Sequence, residues 1–368
     1  MYVAECLRTG WVSSAGPFIE LFEERWAAYC GRRSGVAVVN GTLALEMAVA
    51  CLNLRPGDEV IMPTFTIISC AQAVTRFGGI PVLVDSEPRT WCMDVAQVES
   101  RITPRTKAIM AVHIYGHPVD MDPLLELAER RHLAVVEDAA EVHGAEYRRG
   151  HRTGAGEWRR CGSFGDLSCF SFYANKIVTT GEGGMVLSDN PAYVERMRAY
   201  RNLCFQRDRR FYHTELGSNL RLTNLQAALG AAQVERMEEL VARKQRMGHR
   251  YSEALKHLSG LQLPVEEAWA RHVYWVYGIV VHERTGFDAV TFAGRLRELG
   301  VETRPFFLGM HEQPVFQRMG LFGGERYPVA ERIARQGLYV PSGMALSEAQ
   351  IDEVCEAVRT ALERGRVA

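Results

Sequence analysis

The strongest constraint on the fold is a regular alternation of short apolar runs with helical patterns through the first half of the 368-residue chain. The apolar runs do not alternate with polar residues, which is typical of parallel strands buried on both faces of a sheet. Strands are predicted at Val36–Val39, Val60–Met62, Pro81–Val84, Ala108–Val112, Ala134–Glu137, Ser168–Phe172 and Met185–Leu187, and helices at Thr42–Leu54, Ile68–Phe77, Asp94–Ile102 and Met121–Arg131. The sequence therefore predicts an α/β fold with a mostly parallel central sheet. In such sheets, ligands bind beyond the carboxyl ends of the strands.

The second half of the chain begins with a long helical pattern. It starts at Thr223, a predicted N-cap, and runs towards Leu258. Further elements are predicted as a strand at Val273–Val281 and helices at Ala289–Leu299 and Ile351–Leu362. We predict a large domain over residues 1–245 and a smaller C-terminal α+β domain over residues 246–368, joined within the long helix.

Composition excludes several classes of protein. The formal net charge of −1 provides no basic field for a nucleic acid or an anionic membrane. No stretch approaches the length of a membrane span, and the N-terminus lacks the pattern of an export signal. The nine cysteines lack CxxC spacing, which indicates reduced thiols that mostly fill the core. These features predict a soluble cytoplasmic protein without nucleic-acid or membrane partners.

One lysine stands between an aromatic strand and a glycine turn, in the run Ser171-Phe-Tyr-Ala-Asn-Lys176 that leads into Thr179-Thr-Gly-Glu-Gly-Gly184. Desolvation at such a place lowers the pKa of an amine and frees it to form a Schiff base with an aldehyde cofactor. Taken alone, a lysine at a strand end with its ammonium in water is the simpler interpretation.

Three segments have the chemistry of anion sites. The chain passes from a strand through Gly41 and Thr42 into a helix, and the positive end of that helix suits a phosphate. Ordinary capping explains this segment equally well. The hydroxyl of Ser171 could donate a hydrogen bond to a phosphate. Asn219 and Arg221, just before the long helix, have either an anion-binding role or a role in the turn and cap.

Asp138 directly follows a buried strand, so its carboxylate is expected at the ligand edge of the sheet. A carboxylate beneath a pyridine nitrogen keeps that nitrogen protonated. Helix capping and a metal cluster with Glu137, Glu141 and His143 are the alternatives. Because successive strand residues face opposite sides, Glu137 and Asp138 diverge, and no metal site is predicted. Together, the glycine turn, the aspartate and the later lysine are what a pyridoxal phosphate (PLP) site requires.

A family resemblance runs through nearly the whole chain. It is carried by Gly10–Gly16, Asn40–Thr42, Pro63–Thr66, Glu137–Gly144, Gly162–Gly165, Ser171–Lys176, Gly181–Gly184, Gly217–Arg221 and His311–Pro314. On these motifs the chain resembles the sugar aminotransferases of the DegT/DnrJ/EryC1/StrS family. The resemblance implies PLP-dependent transferase fold type I, the aspartate-aminotransferase-like fold. The Glu141 position and the run after Tyr173 look most like the GDP-perosamine synthase branch.

The resemblance also implies roles for the cofactor residues. Lys176 would carry the Schiff base with PLP, and Asp138 would pair with the ring nitrogen. The Gly41–Thr42 backbone and the Ser171 hydroxyl would hold the phosphate. Asn219 would reach the phosphate of the neighbouring subunit's cofactor, which implies a homodimer with shared active sites.

Several rim and substrate residues follow from the same resemblance. Ile67 stands where family members often have an aromatic residue over the ring, and Glu141 lies near the phenolic oxygen, where they often have Gln or His. His311 would line the sugar pocket. Arg221 and Arg304 are candidates for the charges of the sugar nucleotide.

The implied activity is ping-pong transfer of an amino group from L-glutamate to a nucleotide-linked 4-keto-6-deoxyhexose. GDP-4-keto-6-deoxymannose is the best candidate, giving GDP-perosamine. The alternatives are C-3 amination of a 3-keto sugar nucleotide, a PLP-dependent sugar dehydratase, and a non-catalytic PLP-binding protein. The dehydratases have His at the position of Lys176. A nicotinamide-dependent oxidoreductase would need a glycine fingerprint near the N-terminus that this sequence lacks. The segment Thr153–Arg160 is interpreted as a surface or pocket-rim insertion.

Overall fold

The computed structural model describes residues 1–154, 156–206, 208–209 and 211–363. Its strands are β1 (Ser34–Val38), β2 (Glu59–Pro63), β3 (Ile80–Val84), β4 (Thr106–Val112), β5 (Ala134–Asp138), β6 (Glu146–Arg149), β7 (Glu157–Arg160), β8 (Leu167–Ser171), β9 (Gly184–Ser188), β10 (Leu261–Gln262), β11 (Ala270–Arg271), β12 (Tyr277–Val281), β13 (Arg304–Pro305) and β14 (Gly337–Val340). Seven of them form the central sheet in the order β1-β9-β8-β5-β4-β2-β3. The strands β8, β5, β4, β2 and β3 are parallel, whereas β9 runs antiparallel to both of its neighbours.

Helices cover this sheet. They are α1 (Tyr2–Thr9), α2 (Pro17–Tyr29), α3 (Gly41–Cys51), α4 (Ser69–Arg76), α5 (Val98–Arg101), α6 (Met121–Arg131), α7 (Pro191–Arg201), α8 (Asn224–Val234), α9 (Met237–Leu255), α10 (Ala289–Glu298), α11 (Pro314–Arg318), α12 (Pro328–Gln336) and α13 (Glu348–Glu363). Helix α3 packs on β8 and β9, and α2 packs on β1 and α8. The buried strands are almost wholly apolar, so the predicted parallel α/β core is confirmed.

The predicted long helix after Thr223 is wrong in one respect, because it consists of α8 and α9 with a break at Glu235 and Arg236. Glu235 accepts a hydrogen bond from the Tyr2 hydroxyl and forms an ion pair with Arg25. These contacts with the N-terminal helices accompany the break. The start of the helix is as predicted, since Thr223 caps α8 in a capping box.

Two other predicted elements are shorter than expected. The strand predicted at Val273–Val281 begins only at Tyr277, because Tyr274 has the left-handed backbone φ of 48° that interrupts an extended chain. The helix predicted at Asp94–Ile102 is a 3₁₀ turn at Val95–Gln97 followed by the single turn α5.

A second hydrophobic core lies in the C-terminal part of the chain. It joins the later turns of α9 to α10, α13 and the four-stranded sheet, whose order is β10-β12-β14-β13. The domain boundary near residue 245 stays a prediction. The Thr153–Arg160 insertion, of which Ala155 lies outside the described residues, forms β7 in a small sheet of order β11-β6-β7. Within the described residues, every helix is too short or too polar to cross a bilayer.

Candidate active site

A cavity of about 490 Å³ opens at the carboxyl ends of the central strands. Its walls come from the carboxyl ends of β4, β5 and β8, from the residues that follow β1, β2, β5 and β8, and from the C-terminal part of the chain. Of the predicted cofactor residues it brings together Gly41, Thr42, Ile67, Asp138, Glu141, Ser171 and Lys176. This is the edge at which parallel α/β sheets bind ligands.

The amine of Lys176 lies inside this cavity, and its side chain is only 9% exposed. Its Nζ atom is 4.0 Å from Glu141 Oε1 and 3.4 Å from the centroid of the Trp275 ring. Burial lowers the pKa of Lys176, while the negative charges of Glu141 and Asp138 oppose that shift. The site therefore holds an amine whose neutral, nucleophilic form is more accessible than in water.

Asp138 is the last residue of β5 and is 3% exposed. Its Oδ1 accepts a hydrogen bond from the backbone N–H of Ala140 at 3.1 Å, and its Oδ2 accepts one from the thiol of Cys70 at 3.2 Å. Burial raises the pKa of Asp138, and these hydrogen bonds and the charge of Lys176 oppose the rise. The carboxylate is thus fixed in orientation and retains capacity to accept from a ligand in the cavity.

Glu141 is held by a strained stretch of backbone. Its Oε2 accepts the backbone N–H of Tyr115 at 2.8 Å, and Tyr115 has a φ of 54°, in the left-handed region. This conformation is unfavourable for a bulky residue and persists here where it directs an N–H group into the site. Burial raises the pKa of Glu141, whereas the positive charge of Lys176 opposes that shift.

The first turn of α3 forms an anion cradle. Asn40 caps this helix by accepting the backbone N–H of Leu43 at 2.9 Å, so the positive end of the helix faces the cavity. A Cβ atom on Gly41 would lie 2.6 Å from the Cβ of Ser171, so only glycine allows α3 and β8 to approach this closely. A phosphate fits this cradle, and Lys176 and Asp138 fit the aldehyde and the ring nitrogen of PLP.

Two predicted residues from the segment before α8 do not line the cavity. Asn219 is exposed and forms an isolated backbone bridge with Asn202. Arg221 donates from Nη1 to the side-chain oxygen of Asn202 at 2.6 Å, and its buried Nε finds no hydrogen-bond partner among the described residues. Their contacts with an anion, which for Asn219 would be made to the neighbouring subunit's cofactor, stay predictions.

Two predicted substrate residues also lie outside the cavity. The buried imidazole of His311 is held between Thr64 Oγ1 at 2.8 Å and Glu331 Oε1 at 3.3 Å. Arg304 lies on β13 with its side chain 64% exposed, opposite Tyr339 of β14, which lines the cavity. Arg304 is therefore a rim residue, and His311 lines a separate cavity together with Glu331.

Sequence reasoning missed the aromatic wall of the cavity. Trp275, Phe307 and Tyr339 all line it, and the indole N–H of Trp275 donates to the backbone oxygen of Asn175 at 2.9 Å. The aromatic character of these residues was the only available signal, because each arrives from the C-terminal part of the chain. Cys70 was missed as well, since it was interpreted as a core filler.

The acidic residues around β5 do not form one metal site. Asp138 and Glu141 line the cavity, whereas Glu137 faces the opposite side of the strand. Among the described residues, His113, Glu137 and Cys161 bring possible ligand atoms close together. Both oxygens of Glu137 already accept hydrogen bonds from protein donors, so the cluster is explained without an ion.

The mostly parallel seven-stranded sheet, with a buried lysine and aspartate across one cavity at its carboxyl edge, defines a transferase of fold type I. The DegT/DnrJ/EryC1/StrS aminotransferase family matches residues 1–359, and the chain belongs to this family. It is 42% identical to a GDP-perosamine synthase of Caulobacter vibrioides, covering 97% of this chain and 93% of the relative. A GDP-perosamine synthase of Escherichia coli O157:H7 is 37% identical, with coverage of 97% and 93%.

The crystal structure of S. venezuelae DesV in complex with a ketimine intermediate superposes with a TM-score of 0.88. It shares 35% sequence identity and covers 99% of this chain and 94% of that chain. The predicted family, the fold class and the assignment as an aminotransferase of this family are confirmed.

Proposed function

We propose that this protein is a PLP-dependent aminotransferase that transfers an amino group from L-glutamate to a nucleotide-linked 4-keto-6-deoxyhexose. The observation that carries the proposal is the buried Lys176 amine, which shares one cavity with the Asp138 carboxylate and the cradle of α3. The resemblance to two GDP-perosamine synthases favours GDP-4-keto-6-deoxymannose as the acceptor and GDP-perosamine as the product.

When bound, PLP supplies an aldehyde that a lysine amine can attack and a ring that withdraws electrons from a bonded carbon. The Gly41–Thr42 backbone and the Ser171 hydroxyl would hold its phosphate, and Asp138 would keep a proton on its ring nitrogen. Lys176 Nζ would act as general base and then general acid towards the Cα proton of the amino donor. One site serves the two substrates in turn, so ping-pong kinetics are expected.

The rim residues would serve the sugar nucleotide. Arg304 is exposed beside Tyr339 and forms an ion pair with Glu302 at 3.7 Å, and its guanidinium would exchange this partner for a phosphate of the sugar nucleotide. Ile67, 40% exposed, offers an aliphatic surface over the ring. His311, whose ring is hydrogen-bonded to Thr64, would act on the sugar pocket only indirectly.

We further propose a homodimer with shared sites. Two cavity-lining residues, Ile67 and Tyr173, are 40% and 48% exposed, which is high for apolar residues in an active site. Other large exposed apolar residues are Leu7, Trp11, Leu216 and Leu229. A second copy that covers this surface would bury it and bring its Asn219 towards the cavity.

The test has two stages. The purified protein is incubated with PLP, reduced with borohydride and digested, and the modified peptide is identified by mass spectrometry. Label on Lys176, with none on Lys244, which is 3% exposed, supports the proposal. Glutamate is then supplied with 4-keto and 3-keto sugar nucleotides carrying GDP, dTDP or UDP, and the amino sugar is identified by mass and NMR.

A protein that takes up no PLP, or that carries the label elsewhere, would contradict the assignment of the site. Amination only at C-3 would replace the proposed acceptor by the alternative. Label on Lys176 without an amino product from any acceptor would leave a PLP-binding protein in place of the enzyme.

A further inference from the structure

Cys70 lies beneath the carboxylate on which the proposed cofactor site depends. It is the second residue of α4 and is 0% exposed. Its thiol donates to Asp138 Oδ2 at 3.2 Å, and the hydroxyl of Thr66 lies 3.5 Å from its sulfur. Because the thiol has a single proton and gives it to Asp138, the Thr66 hydroxyl is left to donate to the sulfur.

The thiol keeps its proton under these conditions. Burial raises the pKa of Cys70 well above its usual value, and the negative charge of Asp138 raises it further. Cys70 is therefore placed and protonated as a donor to Asp138. The other oxygen of Asp138 is fixed by the backbone N–H of Ala140, so these two donors together set the plane of the carboxylate.

We propose that Cys70 is a positioning residue that orients Asp138 towards the ring nitrogen of the cofactor through an S–H···O hydrogen bond; this inference rests on the function proposed above. Cys70 has no contact with substrate or cofactor in this role. Its removal leaves Asp138 with one donor, so the carboxylate rotates more freely and binds the ring less well.

The chain contains a matched control. Cys169 is 1% exposed and lies on β8, where it pairs in register with Asp138. Its thiol donates to the backbone oxygen of Ala44 at 3.6 Å, and not to a carboxylate. Cys169→Ala removes the same atoms from the same neighbourhood and leaves both donors of Asp138 in place.

The first measurement needs no cofactor. The S–H stretching band of Cys70 is obtained as the infrared difference between the wild-type apoprotein and Cys70→Ser, and that of Cys169 from Cys169→Ala. We expect the Cys70 band at lower frequency, because a carboxylate is the stronger acceptor. The band should move to higher frequency in Asp138→Asn. Coincident bands, or no response to Asp138→Asn, would overturn the inference.

The second measurement is the dissociation constant of PLP by equilibrium dialysis. Cys70→Ala should weaken binding by about threefold to tenfold, whereas Cys70→Ser and Cys169→Ala should stay within about twofold of wild type. The unfolding midpoints of the two alanine variants are compared, so that a general loss of packing is recognised by its occurrence in both.

Equal PLP affinity in Cys70→Ala and Cys169→Ala would overturn the inference while the proposed function stands. If Cys70→Ala does not fold, Cys70→Ser decides, and weaker PLP binding in that variant would contradict the rescue expected from a hydroxyl donor. Failure of the wild type to bind PLP would refute the proposed function, and the infrared band would still decide whether Cys70 orients Asp138.

Discussion

Two adjacent carboxylates on β5 are equally inaccessible to solvent, yet the two faces of the strand give them different chemistry. Glu137 accepts hydrogen bonds from His113, from three backbone N–H groups at residues 162–165 and from the Ser168 hydroxyl. Burial alone would raise its pKa, but these donors lower it to about 2. Asp138 has two donors and faces the cavity. Both oxygens of Glu137 are thus occupied by hydrogen bonds that stabilise the fold, whereas the Asp138 carboxylate can still accept from a ligand in the cavity.

The two buried lysines repeat this contrast. Lys244 of α9 is 3% exposed and donates to the backbone oxygens of Trp275 and Ser342. Lys176 faces carboxylates and open volume. Burial lowers the pKa of both amines, and that of Lys244 to about 7. A lowered pKa therefore does not distinguish Lys176 from Lys244, whereas the position of the Lys176 amine in the cavity, with hydrogen-bonding capacity left for a ligand, does.

The largest effect is expected at the lysines. Lys176→Ala should lower kcat by about a thousandfold or more, because it removes both the nucleophile and the general base. Lys244→Met should retain kcat within about threefold. Steady-state kinetics on both variants test the comparison, and equal losses would contradict it.

Lys244 should also change how the free energy of unfolding depends on pH. The folded-state pKa of Lys244 is about 7, against 10.5 for an ordinary lysine, so the unfolded chain binds the extra proton between these values. The free energy of unfolding of wild type, relative to Lys244→Met, should therefore rise as the pH increases from about 7 to 10. Parallel curves for the two proteins would show that Lys244 titrates normally.

Glu137→Gln should affect stability and not chemistry. The folded-state pKa of Glu137 is about 2, against 4.5 for an ordinary glutamate, so its ionised form stabilises the fold by about 3 kcal/mol above pH 4.5. That stabilisation is lost as the pH falls from 4.5 through 2. Denaturant unfolding should show a difference between wild type and Glu137→Gln at pH 7 that shrinks in acid. A constant difference would count against this role.

Asp138→Asn should give the opposite pattern. A neutral amide cannot hold the ring nitrogen protonated, so kcat should fall roughly a hundredfold. The free energy of unfolding should change by less than about 1 kcal/mol, since only two hydrogen bonds are affected. If Asp138→Asn unfolds more readily than Glu137→Gln, the assignment of Glu137 to stability and of Asp138 to ligand binding is wrong.

The smallest effect is expected at the rim. Arg304→Ala should raise KM for the sugar nucleotide by about twofold to fivefold with kcat unchanged, because an exposed ion pair contributes equally to ground and transition states. Arg297→Ala is the control, since both arginines lie within 4.0 Å of Glu302 and are similarly exposed. Equal changes of KM in both variants would contradict the assignment of Arg304 to the binding site.

The sequence predicted the parts of the site that are local. Gly41, Asp138 and Lys176 each stand where an apolar run ends, and the fold brings strand ends to one edge, so a pattern of a few residues was sufficient. Trp275 and Tyr339 reach the cavity from the C-terminal part of the chain, and the periodicity of the sequence does not indicate that approach.

Other misses have the same physical origin. Cys70 was interpreted as a core filler because its bond to Asp138 depends on how α4 is rotated against β5. The break between α8 and α9 coincides with bonds from Glu235 to residues at the other end of the chain. The role of Cys70 and the break between α8 and α9 thus depend on long-range contacts, which local propensity does not predict.

The close approach of Gly41 to Ser171 has a consequence for engineering this protein. With a side-chain atom at position 41 only 2.6 Å from the Cβ of Ser171, any substitution has to displace the first turn of α3 from β8. That turn aims the amides of the anion cradle, so even an alanine there would misdirect them. Libraries of variants meant to alter the choice of acceptor should therefore vary Arg304 and Tyr339 of the four-stranded C-terminal sheet. They should leave the contact between Gly41 and Ser171 unchanged.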